Sequence, residues 1–252
     1  MLKDSFHRGA GFADLQSVPS VLETVFDQPK RLASALAESI GEDLKRAVAA
    51  RGKASLVVSG GSTPLPLFAS LAPRELPWDR VWITLADERW VDPTDDASNE
   101  KLVRSHLLHD AAAAAHFVPI KTDAPSPEDG EAACEAALAD VPRPFDVVVL
   151  GMGTDGHTAS LFPDAQRLEE ALDADSDRTC LAVRAASAAS PRMTLTLAAL
   201  LDSHRTVIHI TGNDKWQVYR RALAPGPMEE LPVRAILNRG PEPIDVYWSA
   251  GA

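Results

Sequence analysis

Apolar and polar positions along this chain form short apolar runs separated by longer segments with helical periodicity. Five runs rich in β-branched and other apolar residues predict buried strands: Ser55–Ser59, Val81–Leu85, Asp146–Leu150, Cys180–Val183 and Val207–Thr211. A sixth candidate strand is Ile244–Trp248. The helical patterns cover Arg31–Ala50, Pro64–Leu71, Ser98–Leu108, Glu128–Ala139, Leu197–Leu201 and Asp214–Leu223.

Strands that alternate with helices favour right-handed crossover connections between parallel strands. We therefore expect an α/β fold, in which a mostly parallel, open sheet carries helices on both faces in a Rossmann-like arrangement. The chain has 252 residues, which is enough to bury a full core, and we expect residues 1–252 to form a single α/β domain. Ligands of such sheets bind beyond the carboxyl ends of the strands.

Composition narrows the classes of partner and compartment. The formal net charge of −11 argues against nucleic acid, which selects basic surfaces. No apolar run approaches the roughly 20 residues that span a bilayer, and no signal-peptide pattern is visible. Cys134 and Cys180 have no motif spacing. We expect a cytoplasmic protein without membrane association, either a monomer or a weak homodimer.

The first candidate site is the loop Ser59–Pro64, which lies between a predicted strand and a predicted helix. Gly60 and Gly61 allow main-chain N–H groups to converge, and the hydroxyls of Ser62 and Thr63 add further donors. These features predict a phosphate site. The alternative is a capped turn without a ligand, since Ser and Thr are common helix N-caps.

The second candidate site follows the next strand. Asp87, Glu88 and Arg89 come first, and Ser98 with Asn99 opens the following helix. An arginine at this edge of the sheet could hold a phosphate or carboxylate, or polarise a carbonyl. The alternative is an ion pair within the loop, in which an acidic neighbour neutralises Arg89. Ser98 is a plausible N-cap.

The most informative segment is Phe145–Pro163, where a buried apolar strand ends in three glycines that enclose Asp155 and His157. A histidine held by a carboxylate in such a loop can act as a general base. The alternative is a histidine that only caps the turn. The G-x-G-x-x-G spacing also occurs in nucleotide-binding loops, but Pro163 follows too soon for the long helix that a dinucleotide requires.

Two further cationic side chains lie before or at the start of predicted helices. Arg192 lies in Ser190–Thr196, and Lys215 lies in the first turn of a helix, where the dipole favours acids. Lys215 therefore has either Asp214 or a bound anion as its partner. The alternative is a solvated lysine without a specific partner, which is the commonest state of a single lysine. We expect Arg89, Arg192 and Lys215 to face one crevice at the ends of the strands.

The remaining histidines predict no chemistry. His106 and His109 are three positions apart, but no carboxylate or cysteine cluster completes a metal site around them. His204 and His209 border a buried strand, and we predict a structural role for both. We expect neither a metal nor a cofactor.

Together, these motifs resemble those of the 6-phosphogluconolactonases, over about residues 21–248. The resemblance implies a sugar-phosphate isomerase type of fold and hydrolysis of 6-phospho-D-glucono-1,5-lactone to 6-phosphogluconate in the oxidative pentose phosphate pathway, without metal or cofactor. It implies that His157 is the base that activates water. The glycine-rich loop, Arg89, Arg192 and Lys215 are implied to hold the phosphate or the lactone. Asp87 and Asn99 lie in the matched motifs and are expected to contact substrate.

The alternative family is the related glucosamine-6-phosphate deaminase/isomerase group. Its members carry a glutamate five positions after the histidine, where this chain has Phe162, which cannot relay a proton. The deaminases also lack an arginine at the position of Arg89. A non-catalytic sugar-phosphate sensor is a further alternative. These differences favour the lactonases.

Overall fold

The computed structural model describes residues 20–241 and 243–251. Its strands are β1 (Val21–Phe26), β2 (Ala54–Val58), β3 (Val81–Leu85), β4 (Asp87–Arg89), β5 (His116–Val118), β6 (Val147–Leu150), β7 (Cys180–Val183), β8 (Arg192–Leu195), β9 (Thr206–Thr211) and β10 (Ile244–Ser249). Its helices are α1 (Pro29–Arg51), α2 (Leu65–Leu71), α3 (Asn99–His106), α4 (Pro127–Leu138), α5 (Leu168–Ala171), α6 (Leu197–Leu201), α7 (Asn213–Ala222) and α8 (Val233–Arg239). Two 3₁₀ turns cover Trp78–Arg80 and Asp110–Ala114.

The main sheet has seven strands in the order β1-β10-β9-β6-β2-β3-β5, and every neighbouring pair is parallel. From β2 the chain proceeds outward through β3 to β5, and then returns to place β6 on the other side of β2. The direction of strand addition therefore reverses between β2 and β6. In open parallel sheets such a reversal opens a crevice at the carboxyl edge, and this is the expected position of a ligand site.

Both faces of the main sheet are covered. All residues of β2 and β6 are buried, although their side chains alternate between the two faces. Helix α1 packs against β2 and β10, and α7 packs against β9. The buried apolar residues form one hydrophobic cluster that continues through both sides of the sheet. The predicted α/β class with a parallel sheet is confirmed.

One predicted strand belongs to a different sheet. Cys180–Val183 (β7) pairs antiparallel with β8, which pairs antiparallel with β4 to give a separate three-stranded sheet. The prediction that this run joins the parallel sheet was wrong. The segment before it contains only the four-residue helix α5, which is too short to cross the face of a sheet and return. An antiparallel partner is therefore supplied locally by Arg192–Leu195.

Within the described residues, every helix is too short or too polar to traverse a lipid bilayer.

The packing of α1 on the sheet predicts a difference between two equivalent truncations. Leu36 is completely buried in α1, whereas the side chain of Leu22 on β1 is 56% exposed. We expect Leu36→Ala to lower the free energy of unfolding by about 2–5 kcal/mol, because it leaves a cavity in the core. Leu22→Ala, the matched control, is expected to change it by less than about 0.5 kcal/mol. Chemical denaturation monitored by circular dichroism measures both; equal effects would contradict the fold.

Candidate active site

A cavity of about 280 Å³ lies at the carboxyl edge of the main sheet, at the reversal between β2 and β6. Most of the residues predicted for the site line it: Gly60, Gly61, Ser62, Thr63, Asp87, Arg89, Asn99, His157 and Lys215. Asp155 and Arg192 do not line the cavity, but each lies beside a residue that does. The crevice thus brings together motifs from four separate parts of the chain.

The loop after β6 holds His157 against Asp155. Asp155 Oδ1 accepts the main-chain N–H of His157 at 3.1 Å and lies 2.6 Å from Nδ1 of the imidazole. Burial alone would raise the pKa of Asp155, but the hydrogen bond and charge of His157 outweigh it and keep the pKa of this carboxyl below its ordinary value. A carboxylate on Nδ1 favours the tautomer with its proton on that nitrogen, which leaves the Nε2 lone pair free.

Glycine is required at two positions of this loop. A Cβ atom at Gly153 would overlap the His157 ring and Asp155 Oδ1. Gly156 has a φ of 81°, in the left-handed region that favours glycine, and a Cβ there would meet Leu231. The base of the loop is closed by Thr158, whose hydroxyl donates to the Gly151 carbonyl at 2.8 Å. The backbone thus fixes where the imidazole lies.

The loop after β2 offers unused hydrogen-bond donors. Helix α2 has no side-chain N-cap, so the hydroxyls of Ser62 and Thr63 are not engaged in capping it. Among the described residues, the main-chain N–H groups of positions 60–63 have no acceptor. Ser59 ties this loop to the next one, since its hydroxyl donates to the Val149 carbonyl at 3.2 Å and lies 3.4 Å from Gly151 N. These donors could bind an anion.

The buried carboxylate of Glu88 fixes the position of Arg89. Glu88 is 1% exposed and accepts the main-chain N–H groups of Arg89, Asn99 and Glu100 at 2.7–2.8 Å. Burial raises the pKa of Glu88, although these three donors act in the opposite direction. The carboxylate joins β4 to the start of α3, where Ser98 is the N-cap as predicted.

The guanidinium of Arg89 is available to a ligand. It donates from Nη1 to the Ala97 carbonyl at 2.5 Å and lines the cavity. In the part of the chain that the structure describes, it forms no ion pair with Asp87 or Glu88, so the predicted alternative of an intraloop ion pair is not observed.

Asp87 and Asn99 line the cavity and also support one another. Asn99 Nδ2 donates to the Asp87 carbonyl at 2.9 Å, and Asp87 Oδ2 accepts the Ser160 hydroxyl at 2.6 Å. The Asn99 side chain lies so close to Gly60 that any Cβ there would overlap it. These contacts lock the loops after β2 and β3 against each other.

Arg192 lies opposite Arg89 in the β4–β8 pair and is 8% exposed. Its Nη1 donates to the Ser190 hydroxyl at 2.8 Å, while its Nε is buried without a partner among the described residues. Burial, reinforced by the charge of Arg89, lowers the pKa of this guanidinium. It adds positive potential behind Arg89 without lining the cavity.

Lys215 and His209 form the opposite side of the cavity. Burial lowers the pKa of Lys215, and within the described residues this ammonium has no ion-pair partner, Asp214 included. His209, on β9, is 3% exposed and also lines the cavity. The prediction of a structural role for His209 did not anticipate that it lines the cavity, and the available signal was an imidazole among Val207, Ile208 and Ile210 in the interior of the strand.

No group of three or more His, Cys, Asp or Glu side chains that could hold a metal occurs within residues 20–241 and 243–251. His109 instead lies 3.0 Å from Asp110 through Nδ1. Glu88 and Ser160 were not predicted as supporting residues, because Glu88 accepts from the start of α3, up to 12 residues away, and Ser160 donates to Asp87, 73 residues away in the chain.

Comparison with known proteins agrees with these motifs. Residues 27–248 match the family model described as glucosamine-6-phosphate isomerases/6-phosphogluconolactonase. The chain is 48% identical to a 6-phosphogluconolactonase of Rhizobium meliloti, over 89% of this chain and 97% of that protein. It is 50% identical to one of Mesorhizobium japonicum, over 88% and 92%.

The fold is also similar to that of a solved structure. A crystal structure of a 6-phosphogluconolactonase from Shewanella baltica superposes with a TM-score of 0.90 at 46% identity, covering 92% of this chain and 99% of that one. The chain therefore belongs to the glucosamine-6-phosphate isomerase/6-phosphogluconolactonase family.

Proposed function

We propose that this cavity hydrolyses 6-phospho-D-glucono-1,5-lactone to 6-phospho-D-gluconate, with His157 as the general base. The observation that carries the proposal is the 2.6 Å contact between His157 Nδ1 and Asp155 at the wall of a cation-lined cavity. The names of the relatives supply the substrate class.

The two ends of the cavity suit the two ends of this substrate. Lys215 follows β9 and Arg89 follows β3, and β6 and β2 lie between these strands. Three interstrand steps of about 4.8 Å separate the strands by roughly 14 Å. In our proposal the phosphate lies between Lys215, which follows β9, and the loop after β2, where the free N–H groups of positions 60–63 and the hydroxyls of Ser62 and Thr63 bind it.

The lactone carbonyl then faces His157 and Arg89. Nε2 of His157 removes a proton from water, and the resulting hydroxide equivalent attacks C1. Arg89 stabilises the oxyanion that develops on the carbonyl oxygen, and the nearby charge of Arg192 strengthens this effect. The bond from C1 to the ring oxygen breaks, and the ring oxygen takes up the proton from the His157 imidazolium. Asp155 holds the imidazole in orientation and stabilises its transient charge.

The contacts of Phe162 disfavour the deaminase alternative. Its ring packs on His157 at a centroid distance of 4.3 Å and is 8% exposed. A phenyl ring at this position can neither donate nor accept the proton that ring opening of an amino sugar requires.

The reaction itself is the first test. We expect the protein to accelerate acid release from freshly prepared 6-phosphogluconolactone above the spontaneous rate, measured in a pH-stat. It is expected to release no ammonia from glucosamine 6-phosphate. If the lactone is hydrolysed only at the spontaneous rate and ammonia is released from glucosamine 6-phosphate, the protein is a deaminase and the proposed lactonase activity is wrong.

His157→Ala tests the base. A positioned general base contributes about 10²- to 10⁴-fold to rate, so kcat should fall by that factor with KM little changed. His109→Ala is the control, since His109 lies outside the cavity. Steady-state kinetics of both variants decide the point, and a His157→Ala variant with the kcat of the wild type would remove His157 from the mechanism.

Lys215→Met tests the phosphate end. Loss of a charge-assisted hydrogen bond should raise KM by roughly 10- to 100-fold, with a smaller effect on kcat. Lys45→Met, on the exposed side of α1, is the control and should keep the wild-type KM. An unaltered KM in Lys215→Met would place the phosphate elsewhere.

A further inference from the structure

We propose that His209 is a second phosphate-binding residue, which donates a hydrogen bond from Nε2 to the ester phosphate held by Lys215. The inference rests on the proposed function, which supplies a phosphorylated substrate, and it assigns His209 the selection of phosphorylated over unphosphorylated lactones.

The position of His209 is unusual for its residue type. It lies among the completely buried apolar residues Val207, Ile208 and Ile210, whereas the other polar residues of β9, Thr206 and Thr211, lie at the two ends of the strand. Its partner on β10 is Tyr247, while on the other side β6 ends at Leu150, opposite Ile208. His209 therefore lies just beyond the last paired residue of β6, where the crevice begins.

The imidazole has no hydrogen-bond partner in the described part of the chain. Its Nδ1 is fully enclosed and unpaired. Because Nδ1 is enclosed, Nε2 is the nitrogen that can reach a molecule in the cavity.

The charge state suits a donor beside an ammonium group. Burial, together with the charge of Lys215, lowers the pKa of His209 to about 4, so the ring is neutral near pH 7. A neutral imidazole does not repel Lys215 in the free protein. With its proton on Nε2, it leaves only a lone pair at the enclosed Nδ1 and presents an N–H group to the cavity.

The ligand at this end must be an anion that accepts several hydrogen bonds. Lys215 supplies charge from α7, and His209 supplies a directed donor from the floor of the crevice. A phosphate monoester has three terminal oxygens and can accept from both. An unphosphorylated sugar lactone presents a neutral hydroxyl instead, which gains less from the same donors.

Three variants separate this role from simple packing. His209→Leu fills the space without a donor, His209→Gln places an amide near the position of Nε2, and His209→Asn places one near Nδ1. We expect His209→Leu and His209→Asn to raise KM for 6-phosphogluconolactone by roughly 10-fold or more, with kcat within about twofold of wild type. His209→Gln should recover most of the wild-type KM.

The unphosphorylated substrate provides the comparison. For glucono-1,5-lactone, the kcat/KM of His209→Leu is expected to equal that of the wild type. An unchanged KM for the phosphorylated lactone in His209→Leu would overturn the proposal. An equal loss of kcat/KM for both lactones would also overturn the proposal, because His209 would then shape the cavity without selecting the phosphate.

A spectroscopic measurement on the wild-type protein does not depend on turnover. The imidazole ¹⁵N resonances of His209, assigned by their loss in His209→Gln, should shift on addition of 6-phosphogluconate and remain unchanged with gluconate. Resonances that shift with neither ligand would contradict the proposal. If the wild type fails to hydrolyse the lactone, the proposed function fails, while the ¹⁵N shift still decides the role of His209.

Discussion

The reversal of strand addition between β2 and β6 is the constraint on which the rest of the site depends. All strands of the main sheet are parallel, so the loops after β2, β6 and β9 emerge at one edge. Because the chain extends outward on both sides of the reversal, no crossover connection closes the space above it. The cavity of about 280 Å³ occupies that space. Backbone topology thus brings His157, Lys215 and Arg89 together before any side chain contributes.

Buried polar contacts then fix the side chains within that crevice. Glu88 ties β4 to α3 through three main-chain donors, and Asp87 joins Ser160 across separate loops. Asp155 orients His157 in the same way. Charge-assisted hydrogen bonds of this kind are shorter and stronger than neutral ones, and they lower the cost of organising the site when substrate binds. The hydrolysis that we propose uses water as its nucleophile. It therefore depends on this pre-organised geometry rather than on a reactive side chain.

The sequence predicted those features that local patterns encode. The apolar runs of β2, β3, β6, β9 and β10 are visible because most of their residues are buried, and glycines mark the ends of β2, β6 and β9. Strand β1 was not predicted. Val21–Phe26 lies at the edge of the sheet, where half-buried and exposed residues give no continuous apolar run. Strand β5 has three residues, too few to reveal a period.

Contacts between distant segments could not be read from the chain. Cys180–Val183 has the composition of a central strand, and only its pairing with Arg192–Leu195 excludes it from the main sheet. His209 illustrates the same limit, because its importance depends on the end of β6 and on Lys215 in the next helix. A residue in a buried strand is assigned to the core unless the neighbouring strand is known to stop beside it.

A crystal structure of the protein with bound 6-phosphogluconate tests the orientation of the substrate most directly. We predict that the phosphate lies between Lys215 and the loop at positions 60–63, with the C1 carboxylate beside Nε2 of His157 and the guanidinium of Arg89. A product bound in the reverse orientation, with its phosphate on Arg89 and its carboxylate remote from His157, would contradict it.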